Sequence, residues 1–311
     1  MGDALKGRDL LTLADFSPGE VRLVLDVARE QKAEWAVGVR ETPLAGRAIA
    51  LVFEKPSVRT RVSFEVACAR LGATPVVLSG ADSAFSRGET VADTARVLER
   101  YCDAIVLRTF EQAKVAEVAE VAEVPVVNSL SDDHHPCQGL ADLLTIEEHL
   151  GELAGRTLAY VGDGNNMAHT YLHAGALTGM HVRIATPAGF EPQARIAAEA
   201  RAIATTTGAS VLVTNDPREA VAGADVVATD TWASMGQESE HGERLESFVP
   251  FRVDTALMSL AAEGAIFMHC LPAHRGEEVT DEVVEAPYSV VFDEAENRLH
   301  AQKALLTLLL A

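Results

Sequence analysis

The stretch "FEKPSVRTRVSFEVACARLG", residues 53 to 72, sets three arginines in a chain whose formal charge is −20. Pro56 breaks the apolar run before it and Ser57 is a good N-cap. Phe64, Cys68 and Leu71 then fall at i, i+4 and i+7 before Gly72, so the spacing predicts a helix opening at Ser57. A first turn offers free N–H groups and the positive end of the helix dipole. At the C-terminal end of a parallel strand, that is where open α/β sheets bind ligands. The chemistry offered is anion binding. Arg59 and Arg61 lie about 200° apart around a helix and cannot serve one anion. Arg59 is therefore assigned to the ligand and Arg61 to Glu65, four residues on. A capped helix with solvated arginines is the competing reading of this stretch taken alone.

Other side chains suggest chemistries that their spacing does not support. "HHPC" and "HCLPAH" contain His134, His135, Cys137, His269, Cys270 and His274, which a zinc hydrolase could use. Neighbours on a strand or helix point apart, however, and neither C-x-x-C nor H-E-x-x-H occurs, so no metal is expected. "GDGNN" (162–166) follows an apolar run as a dinucleotide loop would. Met167 stands where the third glycine belongs, and no cofactor is expected. Taken alone, Arg108 reads as a strand-end arginine with a surface carboxylate, and Cys270 as a small core hydrophobe.

These residues are carried by a regular alternation. Short β-branched runs, "AIALVF" (48–53), "TPVVL" (74–78), "DAIVLRT" (103–109) and "VPVVNSL" (124–130), recur between helix-like segments. A second series follows: "RTLAYVGDG" (156–164), "HVRIATP" (181–187), "SVLVTND" (210–216), "ADVVATDTW" (224–232) and "AIFMHCLP" (265–272). The pattern predicts an α/β protein of two doubly wound parallel-sheet domains. The boundary falls in the helix-like segment 137–155, dividing the chain into residues 1–145 and 146–290, and the tail from Glu296 reads as an amphipathic helix.

The bulk numbers narrow the partners. At 311 residues the chain exceeds the usual single domain. Its acidity, with a pI near 4.8, repels nucleic acid and anionic membrane, so neither is an expected partner. An anionic substrate must then be held by local arginines and backbone N–H groups. Four dispersed cysteines without a C-x-x-C pair, no signal-peptide core at the N-terminus and no apolar run of membrane-spanning length point to a cytoplasmic protein.

Taken together, the motifs carry a resemblance. "FEKPSVRTR" resembles the phosphate-binding signature of the aspartate and ornithine carbamoyltransferase family. "LRTFEQ" (107–112), "HPCQGLADLLT" (135–145), "GDGNNMAHT" (162–170), "DTWASMGQE" (230–238), "HCLPAHRGEEVTDEV" (269–283) and "FDEAENRLHAQKALL" (292–306) occur in the order of its ornithine branch. The resemblance spans nearly the whole chain. It implies transfer of the carbamoyl group of carbamoyl phosphate to the side-chain amine of L-ornithine, giving citrulline and phosphate in arginine metabolism. It also implies a first domain for carbamoyl phosphate, a second for ornithine, residues 291–311 returning to the first as a helix, and a homotrimer or an assembly of trimers.

The family pattern assigns roles that chemistry can rationalise. Ser57, Val58, Arg59 and Thr60 hold phosphate with charge-assisted and backbone donors, and Arg298 reaches it from near the C-terminus. Arg108, His135 and Thr60 face the carbamoyl oxygen, where negative charge develops, and Gln138 lies on the carbamoyl nitrogen side. Asn166, rather than Asn165, Asp230 and the Ser234-Met235 loop match the ornithine contacts. Cys270 and Asp230 lie beside the attacking amine, and Leu271 contributes backbone. Two departures stand out. Val58 replaces a Thr or Gly, which keeps the N–H but loses a hydroxyl. Ala84 in "SAFSRGET" replaces a glutamine that reaches a neighbouring subunit, for which Ser83, Ser86 or Arg87 could substitute.

Overall fold

A computed structural model describes residues 4 to 79, 89 to 232 and 241 to 311. Positions 83, 84, 86 and 87, and the predicted ligands Ser234 and Met235, lie outside the described residues. The chain divides into two compact units, one of Met1–Leu144 with Glu296–Ala311 and one of Thr145–Ala295.

In the first unit, Ser17 and Glu20 form a capping box that opens α1 (Pro18–Ala36). The chain then alternates β1 (Ala48–Phe53), α2 (Val58–Leu71), β2 (Thr74–Ser79), α3 (Val91–Leu98), β3 (Ala104–Arg108), α4 (Gln112–Val121), β4 (Val126–Leu130) and α5 (Pro136–Leu150). The four strands form a parallel sheet in the order β2-β1-β3-β4. Chain order reverses between β1 and β3, and such a switch point opens a crevice at the carboxyl ends of the strands. The register places Arg108 beside Phe53, so the segments leaving both strands start at one sheet edge. Ala50, Val52, Ile105, Leu107, Val115 and Val118 pack one side of this sheet.

The second unit repeats the scheme with β5 (Thr157–Val161), α6 (Asn166–Thr178), β6 (His181–Ala185), α7 (Ala194–Thr207), β7 (Val211–Thr214), α8 (Pro217–Val221), β8 (Val226–Thr229), α9 (His241–Phe248), α10 (Thr255–Met258), β9 (Ile266–His269) and α11 (Asp281–Val284). Its parallel sheet runs β7-β6-β5-β8-β9, with the switch between β5 and β8. Every residue of β5, β8 and β9 is buried, as strands covered on both faces require. Gly164 lies against the 190–192 backbone: a Cβ there would sit 2.3 Å from the Phe190 carbonyl oxygen, which excludes any side chain.

The last helix, α12 (Val291–Leu310), begins five residues before the tail read from sequence. Its part within the first unit lies along α1, where Lys32 Nζ donates to Asn297 Oδ1 at 2.7 Å and Gln31 Nε2 to Thr307 Oγ1 at 3.0 Å. The two doubly wound parallel sheets expected from the sequence are therefore present. Several strands are shorter than their apolar runs suggest. "GDG", "DTW" and "CLP" lie beyond the ends of β5, β8 and β9, in the loops that follow those strands.

Candidate active site

In the first unit the site starts at the N-terminus of α2. Ser57 is the cap in extended conformation, and its hydroxyl accepts from the Thr60 N–H at 3.2 Å. Thr60 is buried, and its hydroxyl oxygen gathers three donors: Ser57 Oγ at 3.1 Å, Arg298 Nη2 at 2.6 Å and Arg108 Nη1 at 3.5 Å. One hydroxyl thus orients a guanidinium from β3 and another from α12. Arg61 donates to Glu65 at 2.6 Å, as the i, i+4 spacing predicts. The Val58 side chain is 78% exposed, so what it offers a ligand is its N–H.

His135, just before α5, is buried among these cations. Burial first, and then Arg298, Arg108 and Arg59, push its imidazole well below the usual histidine range. A neutral ring keeps one N–H donor and adds no charge of its own. Gln138 follows one turn later, its Nε2 donating to Asp142 Oδ1 at 2.8 Å. The unit therefore combines a helix N-terminus, guanidiniums and a neutral imidazole, the groups suited to a phosphate carrying a polar acyl group.

Networks that sequence reasoning missed hold these groups. Lys55, almost fully buried, is ion-paired with Asp132 and lies 4.4 Å from the centre of the Phe110 ring. Glu54 accepts from Lys114 at 2.8 and 2.9 Å and from the Thr109 hydroxyl. Asn128, in the middle of β4, donates to the Leu11 carbonyl at 2.9 Å and to Gln112 Oε1 at 3.2 Å. Ser131 donates to the same Gln112 oxygen at 2.5 Å and accepts from the His134 N–H at 3.1 Å. Together they fix the loop that follows Arg108 and the one that carries His135. The only hint in the sequence was a polar residue, Asn128, inside an apolar strand.

In the second unit the site forms at the carboxyl ends of β5, β8 and β9. Asn165 caps α6: its Oδ1 accepts from the Met167 and Ala168 N–H groups at 2.9 and 3.3 Å and from the Tyr160 hydroxyl at 3.2 Å. Its Nδ2 donates to Asp230 Oδ2 at 3.0 Å. Asn165 is thus a support for Asp230, and Asn166 is the first residue of α6. The other oxygen of Asp230 accepts from the Thr231 N–H at 2.8 Å and the Cys270 thiol at 3.2 Å. Burial, followed by Asp230, Asp163, Cys270 and Glu278, pushes the Tyr160 hydroxyl well above the usual tyrosine range. The field here has the opposite sign to that of the first unit and suits an ammonium group.

Cys270 and Leu271 are held from below. His269 Nδ1 accepts from the Leu271 N–H at 2.9 Å, and its Nε2 lies 3.1 Å from Glu278 Oε1, which fixes the proton on Nε2. Glu278, also buried, accepts from the His274 N–H at 2.5 Å. Leu271 has φ 58°, a left-handed conformation that a leucine keeps only where its surroundings impose it. Sequence reasoning singled out these histidines only as rejected zinc ligands. Donor atoms of Asp230, His269 and Cys270 do lie within 4.8 Å of one another, as do those of His274, Glu277 and Glu278. In the first set both nitrogens of His269 are engaged, so coordination there would cost those bonds.

Residues 8–148 match the carbamoyl-P binding domain of aspartate/ornithine carbamoyltransferase, and residues 154–309 match its Asp/Orn binding domain. Ornithine carbamoyltransferase of Anoxybacillus flavithermus is 56% identical over 306 residues, covering 98% of both chains. That of Pyrococcus abyssi is 52% identical over 307 residues, covering 99% of this chain and 97% of its own. The solved structure of the Pyrococcus furiosus ornithine carbamoyltransferase superposes with a TM-score of 0.96 at 50% identity, covering 98% of both chains.

Proposed function

The chain belongs to the aspartate/ornithine carbamoyltransferase family and carries the carbamoyl group from carbamoyl phosphate to ornithine, and we propose that each unit holds one of the two substrates. Its context is arginine metabolism. The observation that carries the assignment is the contrast of sign, with arginines around a neutral His135 in one unit and the Asp230–Cys270 pair in the other.

In this reading Ser57, Arg59, Thr60, Arg298 and the Val58 N–H hold the phosphate. Arg108, His135 and Thr60 donate to the carbamoyl oxygen as it gains charge, and Gln138 meets the carbamoyl nitrogen. Asn166, Asp230, Ser234 and Met235 hold ornithine, with the Leu271 backbone beside them. The amine lone pair attacks the carbamoyl carbon, the bond to the phosphate oxygen breaks with its electrons on phosphate, and the amine loses a proton. Asp230 and Cys270 are the groups that receive the ammonium and accept the proton that it gives up as it attacks. No cofactor or metal takes part in this scheme.

A trimer, or an assembly of trimers, is part of the same proposal. Val58 and Val62, one turn apart on α2, are 78% and 52% exposed and offer an apolar strip to a second copy. All four cysteines are free thiols, which fits the cytoplasm, and no described helix is long and apolar enough to cross a membrane. Carbamoyl transfer to ornithine, putrescine, N-acetylornithine and aspartate tests the acceptor. The expectation is citrulline as the favoured product, with ornithine ahead by at least about a thousandfold in kcat/KM, because putrescine lacks the α-carboxylate, N-acetylornithine the free α-ammonium and aspartate the side-chain amine for which this site is read. A higher kcat/KM for putrescine or N-acetylornithine would overturn it.

A further inference from the structure

Gln138 presents an ambiguity that its neighbour resolves. A side-chain amide has an acceptor end and a donor end of nearly equal shape, and only its partners decide which faces a ligand. Gln138 lies in the first turn of α5 and Asp142 one turn further on the same face, both buried. Gln138 Nε2 donates to Asp142 Oδ1 at 2.8 Å. A carboxylate accepts hydrogen bonds and offers none, so the amide NH2 must turn to Asp142 and the carbonyl oxygen Oε1 is the end directed away from it.

We propose that Asp142 is a positioning residue that fixes Gln138 as a hydrogen-bond acceptor, and so makes the site selective for a carbamoyl phosphate over an acyl phosphate. The inference rests on the reading above that Gln138 lies at the carbamoyl nitrogen. Carbamoyl phosphate carries an NH2 that donates to Oε1. Acetyl phosphate has the same phosphate and carbonyl but a methyl group there, which leaves a buried acceptor unsatisfied. Sites built to meet an N–H reject the analogue lacking it far more strongly than a difference in size would allow. The arginines and Thr60 cannot supply this discrimination, because they address groups that both compounds share.

The test compares the KM for carbamoyl phosphate with the Ki of acetyl phosphate as a competitive inhibitor, in the full-length wild type, Asp142→Leu and Asp142→Asn. D142L removes the constraint, and the ratio of the two constants should shift by about tenfold against carbamoyl phosphate. D142N keeps shape and folding but lets the two amides pair either way round. Equal populations halve the competent form, giving about a twofold shift in the same direction. In a Gln138→Leu background, adding D142L should leave the ratio unchanged, since Asp142 acts through Gln138.

A purely structural role for Asp142 would weaken both phosphates alike. Equal weakening, or a shift that persists in the Q138L background, overturns the proposal. Absence of citrulline formation by the wild-type protein would instead contradict the proposed function. The same ratio can then be read from calorimetric titration of the two phosphates, so the two failures stay distinct.

Discussion

The hydroxyl of Thr60 accepts a hydrogen bond from Arg298, 238 positions along the chain, at 2.6 Å. The first turn of α2 and the middle of α12 are thereby joined at one oxygen, which also faces Arg108 at 3.5 Å. Thr60→Val keeps the shape and removes the acceptor from two guanidiniums. Hydrogen bonds to charged groups contribute about 1.5–3 kcal/mol, so kcat/KM for carbamoyl phosphate should fall about 10- to 100-fold. Thr60→Ser should restore most of it, and steady-state kinetics of the two variants checks both statements.

His135 supplies a prediction about acidity. Its folded-state pKa lies below its unfolded one because of burial and three arginines. Below the ordinary histidine range the unfolded chain therefore binds the proton that the folded chain refuses, so this group makes stability fall as the pH drops below about 6.5 and adds no slope above it. The slope from one such group approaches about 1.4 kcal/mol per pH unit. His135→Asn should remove that share, which denaturant titrations of both proteins between pH 5 and 8 would measure. Identical pH dependence in the two would contradict a neutral buried His135.

Lys55 and Asp132 give a third prediction. Their ion pair ties the segment after β1 to the loop leading to His135, and Phe110 covers the ammonium. Lys55→Met should raise the KM for carbamoyl phosphate about tenfold, since small displacements of positioned groups are costly. The KM for ornithine should be nearly unchanged. Asp132→Asn, at the exposed end of the pair, should do less. A loss spread evenly over both substrates would mean a general defect in folding.

A fourth concerns the thiol. Cys270 donates to Asp230 at 3.2 Å while Asn165 and Thr231 hold the same carboxylate. Cys270→Ala should lower kcat by about 10² or more, within the range for a group that handles a proton in the transition state. Carbamoyl phosphate should still bind as it does to the wild type. Pre-steady-state measurement of citrulline separates the chemical step from product release; an unchanged chemical rate would return Cys270 to the status of a core residue.

What was legible in the sequence was local. Ser57 caps α2 and Arg61 pairs with Glu65 because three- and four-residue spacings on a helix dictate who meets whom. The cores of the nine described strands stood out as apolar, largely β-branched runs, and β3, β5, β8 and β9, buried on both faces, leave no polar alternation to confuse them. The supports did not. Lys55 meets Asp132, Glu54 meets Lys114, and Gln112 meets Ser131 across separations that only the sheet order closes. His269 looked like a metal ligand because its type was visible and its partners, Glu278 and the Leu271 N–H, were not. Asn165 and Asn166 were told apart by family pattern; in the structure the first is occupied as a cap and as a donor to Asp230.

If the first unit alone binds carbamoyl phosphate and the second supplies the acceptor site, calorimetric titration of carbamoyl phosphate into the wild type, Arg59→Gln and Asn166→Ala should tell the two units apart. Binding to N166A should be indistinguishable from wild type and binding to R59Q weakened at least about tenfold, as loss of a charge-assisted phosphate contact requires. Weakened binding in N166A with R59Q unaffected would contradict it.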